Sequence, residues 1–142
     1  MDENLRQARK HFVEMTEEIE NNFLLASNVF NRIEQGVYVY TSLDPKTLTS
    51  DECHARVKDS TILINRLQEL RKEIENIMNI YEKIVCDVRN QNHPNLLHRL
   101  ERDIKCKIRD LLKNVLYIEF LVDCYKIKLE SRQNMLNFSR NE

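Results

Sequence analysis

Histidine and cysteine are common zinc ligands, and this chain contains several of each. There are four of each: His11, His54, His93 and His98, with Cys53, Cys86, Cys106 and Cys124. Cys53 with His54, and His98 with Cys106, could converge as the tetrahedral ligands of a zinc ion. However, no CxxC or CxC pair occurs, and no two histidines stand at i and i+4. Buried thiols and surface histidines are the favoured interpretation, so no metal or other cofactor is expected.

Catalytic signatures are also missing from the sequence. Four carboxylates lie close together near the start of the chain: Glu14, Glu17, Glu18 and Glu20. Such a group on the polar face of a helix is typical of a solvated surface rather than of acid or base catalysis. There is no HExxH motif or nucleophile elbow, and Gly36, the only glycine, cannot build a phosphate-binding loop. We therefore expect no catalytic residue, no enzyme activity and no small-molecule substrate.

Four apolar side chains near the C-terminus could bind another protein. At 100° per residue they lie roughly 140° away from the main apolar seam of the same predicted helix. We call them the outer stripe: Leu112, Leu116, Phe120 and Ile127. If this helix is the central one of a bundle, both stripes pack against the other helices of the chain. Alternatively, the outer stripe binds a different protein or a second copy of this chain.

Four basic residues precede the outer stripe on the same predicted face. We call them the basic run: Arg102, Lys105, Arg109 and Lys113. Residues 93–142 carry ten basic and seven acidic side chains, whereas residues 1–50 carry five and eight. This asymmetry could steer an acidic partner or a second copy that docks head to tail, and it could also bind phosphate. Anionic membrane lipid or nucleic acid is the alternative, but Glu101, Asp103 and Asp110 interrupt the run and no aromatic residues are interleaved for base stacking. Nucleic acid is disfavoured, and a solvated, ion-paired face is the simplest interpretation.

Two breaks in the sequence divide it into three helices that would position these residues. Thr49 and Glu52 fit a capping box, which predicts that the second helix begins after the first break. At the second break, Pro94 suits the first turn of a helix, with Asn92 or His93 as its cap. The predicted helices span about 2–41, 50–90 and 94–137.

Apolar residues recur along all three predicted helices at the spacing of a helix seam. The second helix carries Leu63, Leu67, Leu70, Ile74, Ile77, Tyr81, Ile84 and Val88; the third carries Leu97, Leu100, Ile104, Ile108, Leu111, Val115, Ile118, Val122, Tyr125 and Leu129. Burial is expected above all for Leu67, Leu70, Ile74 and Ile77. The two successive steps of four from Leu100 to Ile108 are a stutter, which should relax the supercoil locally.

The first helix shows a wider apolar stripe. Its heptad positions are Leu5, Phe12, Ile19, Ala26, Ile33 and Tyr40, with Ala8, Met15, Asn22 and Val29 between them and Phe23, Phe30 and Val37 added in the second half. Further apolar side chains lie beside this stripe, namely Leu24, Leu25, Tyr38 and Val39. Such width is typical of a helix that faces a bundle core or a partner helix.

Composition favours an all-helical fold. One glycine and two prolines in 142 residues are too few for a fold with many tight turns, and 42% hydrophobic residues are too many for disorder. We predict one all-α domain over 1–142, an antiparallel up-down-up bundle of three long helices with coiled-coil-like packing. This arrangement resembles a spectrin-type repeat in shape, and the resemblance implies architecture alone.

Location and function are expectations that rest on the same features. No stretch of about 18 apolar residues or signal-like run occurs, and the cysteines are scattered, so a soluble cytoplasmic or nuclear protein is expected. The three seams and the outer stripe predict a non-enzymatic protein–protein interaction module, an adaptor or small subunit of an intracellular coiled-coil assembly. Its partner would form a hetero-complex or a homodimer through helical faces. Binding of anionic lipid or nucleic acid through the basic run is the alternative.

Overall fold

The computed structural model describes residues 2–90 and 94–141, and within these ranges it contains helices and no strand. The long elements are α1 (Asp2–Thr41), α2 (Ser50–Asn90), and a third stretch formed by α3 (Pro94–Arg99), a π-helical segment (Leu100–Lys105) and α4 (Cys106–Asn141). The prediction of an all-α bundle of three long helices is confirmed for the described part of the chain. Their antiparallel order stays a prediction.

The connection between α1 and α2 is built from local hydrogen bonds. Asp44 caps a short 3₁₀ helix, Pro45–Thr47, because its Oδ1 accepts from the backbone N of Lys46 at 3.0 Å. The predicted capping box of α2 is present: Glu52 N donates to Thr49 Oγ1 at 3.2 Å, and Thr49 N donates to Glu52 Oε1 at 3.3 Å. These reciprocal bonds satisfy donors that a helix start otherwise leaves unpaired.

The third helical stretch contains a π-helical segment where the sequence predicts a stutter. A π-helix has more residues per turn than an α-helix, so successive steps of four keep Leu100, Ile104 and Ile108 on one buried face. The stretch ends at Asn141 rather than near residue 137, because no glycine or proline stops it there. The predicted cap at Asn92 or His93 lies outside the described residues.

The chain divides into two compact units, and each takes a segment from every helical stretch. The first unit comprises Met1–Asn28 and Lys72–Lys113. Its buried apolar residues are Phe12, Ile19, Ala26, Ile74, Ile77, Tyr81, Ile84, Val85, Val88, Leu100, Ile104, Ile108 and Leu111. Two surface ion pairs join its helices, Arg99 to Glu20 at 2.8 Å and Arg89 to Glu101 at 2.6 Å.

The second unit comprises Val29–Arg71 and Asn114–Glu142. Its buried apolar residues are Phe30, Val37, Leu48, Cys53, Leu67, Leu70, Val115, Ile118, Val122, Tyr125 and Leu129. Leu48 and Cys53 pack with Tyr125 and Leu129. The burial predicted for Leu67, Leu70, Ile74 and Ile77 is thus confirmed across the two units. A single domain over 1–142 stays a prediction.

The register of α1 differs from the predicted one at its intermediate positions. Val29 is 46% exposed, whereas Thr16, one position after the predicted Met15, is buried. The inner face therefore alternates steps of four and three through Phe12, Thr16 and Ile19. A threonine fits there because its hydroxyl donates to the carbonyl of Phe12 at 2.7 Å, which satisfies the buried polar group.

Among the described residues, no helix combines the length and the apolar character that crossing a membrane requires.

Candidate protein interface

The C-terminal part of the outer stripe lies on the surface of the second unit. Leu116 is 43% exposed, Phe120 is 62% exposed and Ile127 is 56% exposed. On the same helix, Val115 and Ile118 of the inner seam are fully buried. The arrangement in which both stripes of this helix pack inside the chain is therefore wrong for these three outer residues.

The remaining member of the outer stripe, Leu112, belongs to the first unit and is half-buried. The basic run lies in the first unit too. Of its members, Arg102, Arg109 and Lys113 are exposed and Lys105 is half-buried. We therefore treat the exposed residues Leu116, Phe120 and Ile127, which belong to the second unit, as a candidate interface of their own.

The π-helical segment affects the predicted face of the basic run. The prediction used 100° per residue, a spacing that does not hold through Leu100–Lys105. Arg102 also makes a local contact, since its Nε lies 3.1 Å from Oδ1 of Asp103. A single basic face, and with it the binding of anionic lipid or nucleic acid, stays a prediction.

Two further exposed apolar residues lie on α4 beyond the outer stripe, and one of them continues it. Met135 is 64% exposed and Phe138 is 68% exposed. Phe138 follows Phe120 by five helical turns, so it lies on the same side of α4. The predicted outer stripe ends at Ile127, although the same spacing includes Phe138.

The apolar residues beside the stripe of α1 are exposed as well. They are Leu24 and Leu25 in the first unit, with Tyr38 and Val39 in the second. Core burial therefore explains the added width at Phe30 and Val37, which are buried, but not these four residues. Scattered exposed apolar residues are common, and only a contiguous patch of several hundred Å² is informative.

A polar cluster of the second unit joins the end of α1 to α2 and α4. The hydroxyl of Tyr40 contacts the backbone carbonyl of Arg56 and lies 3.0 Å from Ser60 Oγ. Arg56 Nη1 donates to the carbonyl of Tyr40 at 3.0 Å and to the hydroxyl of Tyr125 at 3.3 Å. The guanidinium also stands 4.9 Å from the centre of the Tyr40 ring. Burial raises the pKa of the Tyr40 hydroxyl, which keeps it protonated as a donor.

A groove of about 740 Å³ lies beside this cluster in the second unit. Residues 41–46 form one wall, and α4 forms the other through Ile127, Lys128, Arg132 and Met135. Ile127 thus belongs both to the outer stripe and to the groove. No sequence pattern predicts the groove, because it arises where a loop meets a helix that is distant in sequence.

The four side chains named as possible zinc ligands differ in their exposure to solvent. Cys53 is fully buried, and burial raises the pKa of its thiol, whereas Cys106 and His98 are exposed. The neighbouring His54 is exposed, with Nδ1 3.3 Å from Nε2 of Gln133. Among the described residues, no three His, Cys, Asp or Glu side chains are arranged to hold a metal ion.

Comparisons of this chain with models of protein families, with curated proteins and with solved structures found no match. The candidate interface is therefore interpreted from its own geometry.

Proposed function

We propose that this chain is a non-enzymatic helical interaction module, an adaptor or small subunit of a coiled-coil assembly. The observation that carries the proposal is the exposure of Leu116, Phe120 and Ile127 on a helix whose inner seam is already buried. The chain's own core does not need these three side chains, and they follow one side of α4 rather than being scattered, so a partner that covers them is the simplest reason for their apolar character.

The spacing of the exposed residues favours a partner helix. Steps of four and seven from Leu116 to Ile127 place the three side chains along one side of α4. Completely burying a Leu, Ile or Phe side chain is worth about 1.5–3 kcal/mol. Roughly half of each of these side chains is still exposed, so a partner would gain about 1 kcal/mol from each of them. A hetero-complex and a homodimer both fit this geometry.

A reducing compartment suits the cysteines of such a module. None of the four takes part in a disulfide, and Cys86 and Cys106 are exposed thiols. Exposed free thiols are typical of the cytoplasm and nucleus, where we place the assembly.

Association measurements test the proposal. Sedimentation velocity gives the oligomeric state, and a pull-down from the native cell extract captures hetero-partners. Leu116→Asp and Phe120→Asp should each abolish association, because they place a charge in the buried interface. Asn114→Asp is the matched control, since Asn114 is an exposed residue of α4 outside the outer stripe.

Circular dichroism distinguishes loss of binding from loss of folding, and all three variants should keep the helical spectrum of the wild type. A strictly monomeric wild type, combined with unchanged capture by both aspartate variants, would overturn the proposal.

A further inference from the structure

The groove between residues 41–46 and α4 carries an excess of positive charge. Lys46, Lys128 and Arg132 line it, against a single carboxylate, that of Asp44. Its Oδ1 accepts from the backbone N of Lys46 at 3.0 Å, a bond that leaves its negative charge in place, so the lining carries a net charge of +2. Within residues 2–90 and 94–141, the three cations have no ion-pair partner. The groove is therefore electrostatically complementary to an anion.

Among these cations, Arg132 gives the strongest indication that the groove binds an anion. Its Nε is buried and lacks a hydrogen-bond partner within the described residues. A buried donor without an acceptor is unfavourable, and more so when the group is charged. Rotation of the guanidinium toward the groove that it lines would offer Nε and one Nη to a carboxylate, the planar pairing that arginine forms best.

The groove also presents apolar surface next to its charges. Ile127 is 56% exposed, Met135 is 64% exposed and Leu43 is 39% exposed, and all three line it. The polar groups of the loop are mostly engaged internally: Ser42 Oγ donates to the carbonyl of Val39 at 2.6 Å, and the carbonyl of Leu43 accepts from Tyr125 at 2.7 Å. A ligand therefore meets cations and apolar side chains rather than free hydrogen-bonding loop atoms.

We propose that this groove binds an acidic peptide segment of a partner protein, with one carboxylate on Arg132 and an adjacent apolar side chain against Ile127 and Met135. The inference rests on the proposed function, since it names the chemistry of the partner. A free anion would use the cations and leave the apolar surface exposed, so the combination favours a peptide.

Selection of peptides by the full chain tests this assignment. A phage-displayed library of random peptides is the probe, and the enriched sequences should place Asp or Glu beside a large apolar residue. Affinities of the enriched peptides are then measured by fluorescence anisotropy. Binding should weaken as salt concentration rises, because salt screens the charges involved.

Two variants assign the site. Arg132→Met keeps the length of the side chain and removes the guanidinium, and it should weaken binding about tenfold or more. Lys128→Gln changes an exposed residue, so it leaves folding intact and should weaken binding severalfold. The matched control is Lys126→Gln on the same helix, because Lys126 pairs with Glu130 at 3.9 Å and does not line the groove.

Several results would overturn the assignment. They are the absence of enrichment, enrichment of neutral or basic peptides, and equal binding by wild type and both groove variants. The proposed function is tested separately, because Leu116 and Phe120 do not line the groove. Peptide binding that fails while the Leu116→Asp and Phe120→Asp variants still lose association would reject the groove alone.

Discussion

The hydroxyl of Tyr125 donates a 2.7 Å hydrogen bond to the backbone carbonyl of Leu43. Tyr125 is buried in α4, and Leu43 lies in the loop that follows α1. The same hydroxyl accepts from Nη1 of Arg56, a residue of α2, at 3.3 Å. One phenol therefore links the loop to both α2 and α4. Because this loop forms a wall of the groove, the phenol positions the candidate peptide site as well as the core.

Tyr125→Phe should therefore destabilise the protein while keeping the packing of the ring. The variant leaves the carbonyl of Leu43 and one donor of Arg56 without their partner, and a loss of this kind costs about 1–3 kcal/mol. Urea unfolding followed by circular dichroism measures the change in the free energy of unfolding.

Tyr117→Phe is the control for this experiment. Tyr117 lies on the same helix, is 56% exposed and makes no hydrogen bond through its hydroxyl within the described residues. Its replacement should leave stability nearly unchanged. Equal stability of Tyr125→Phe and wild type would show that the bond to the loop contributes nothing.

The stability of the protein should fall at alkaline pH. Burial raises the pKa of Tyr40 above its ordinary 10.0, although the hydrogen bond with Ser60 and the charge of Arg56 act in the opposite direction. The folded state then holds this proton more tightly than the unfolded chain does. The stabilisation is complete below pH 10.0 and is lost as the pH rises through the raised pKa.

Urea unfolding at a series of pH values measures this loss, and Tyr40→Phe should reduce its slope. Part of the loss should remain in the variant, because burial also raises the pKa of Tyr81 and of Cys53. A free energy of unfolding that stays constant or increases with alkaline pH would contradict the assignment. So would an identical slope in Tyr40→Phe and wild type.

Gly36→Ala should stabilise the protein. Gly36 lies inside α1, is exposed, and a Cβ added to it would meet no atom within 4 Å. Alanine loses less backbone freedom than glycine when a helix forms, a difference of about 0.5–1 kcal/mol. A thermal melt followed by circular dichroism should show a higher midpoint, and a lower one would mean that the backbone at Gly36 needs glycine.

Much of the fold was readable from the sequence because its signals are local. The capping box at Thr49 and Glu52 involves only residues close together in sequence. The seam of α2 is recognised from the regular spacing of its apolar residues alone. The stutter from Leu100 to Ile108 coincides with the π-helical segment, whereas the sequence predicted only a local relaxation of the supercoil. Thr16 shows the limit of this reasoning, because apolar periodicity overlooks a threonine that is buried with its hydroxyl bonded to its own helix.

The candidate sites were less predictable, since they depend on what other parts of the chain cover. The spacing of Leu116, Phe120 and Ile127 placed these apolar residues on one face of the helix. Their exposure, however, follows from how the other helices of the second unit pack. The groove depends on Leu43 and Tyr125, which are 82 positions apart and meet only in the folded protein. No sequence pattern indicates which distant helix such a loop contacts.

Leu70→Ala tests whether the buried seam of α2 is the main source of stability in the second unit. Leu70 is 3% exposed, and truncating a buried leucine costs about 2–5 kcal/mol through lost apolar contacts and the cavity left behind. The same change at Leu25, which is 64% exposed on α1, should cost far less and serves as the control. Chemical denaturation of the two variants gives the comparison. If Leu70→Ala lowered the free energy of unfolding as little as Leu25→Ala does, the seam would not be where the second unit buries its apolar surface. The assignment of Leu116, Phe120 and Ile127 to a partner would then fail too, because it assumes that the inner seam forms the core.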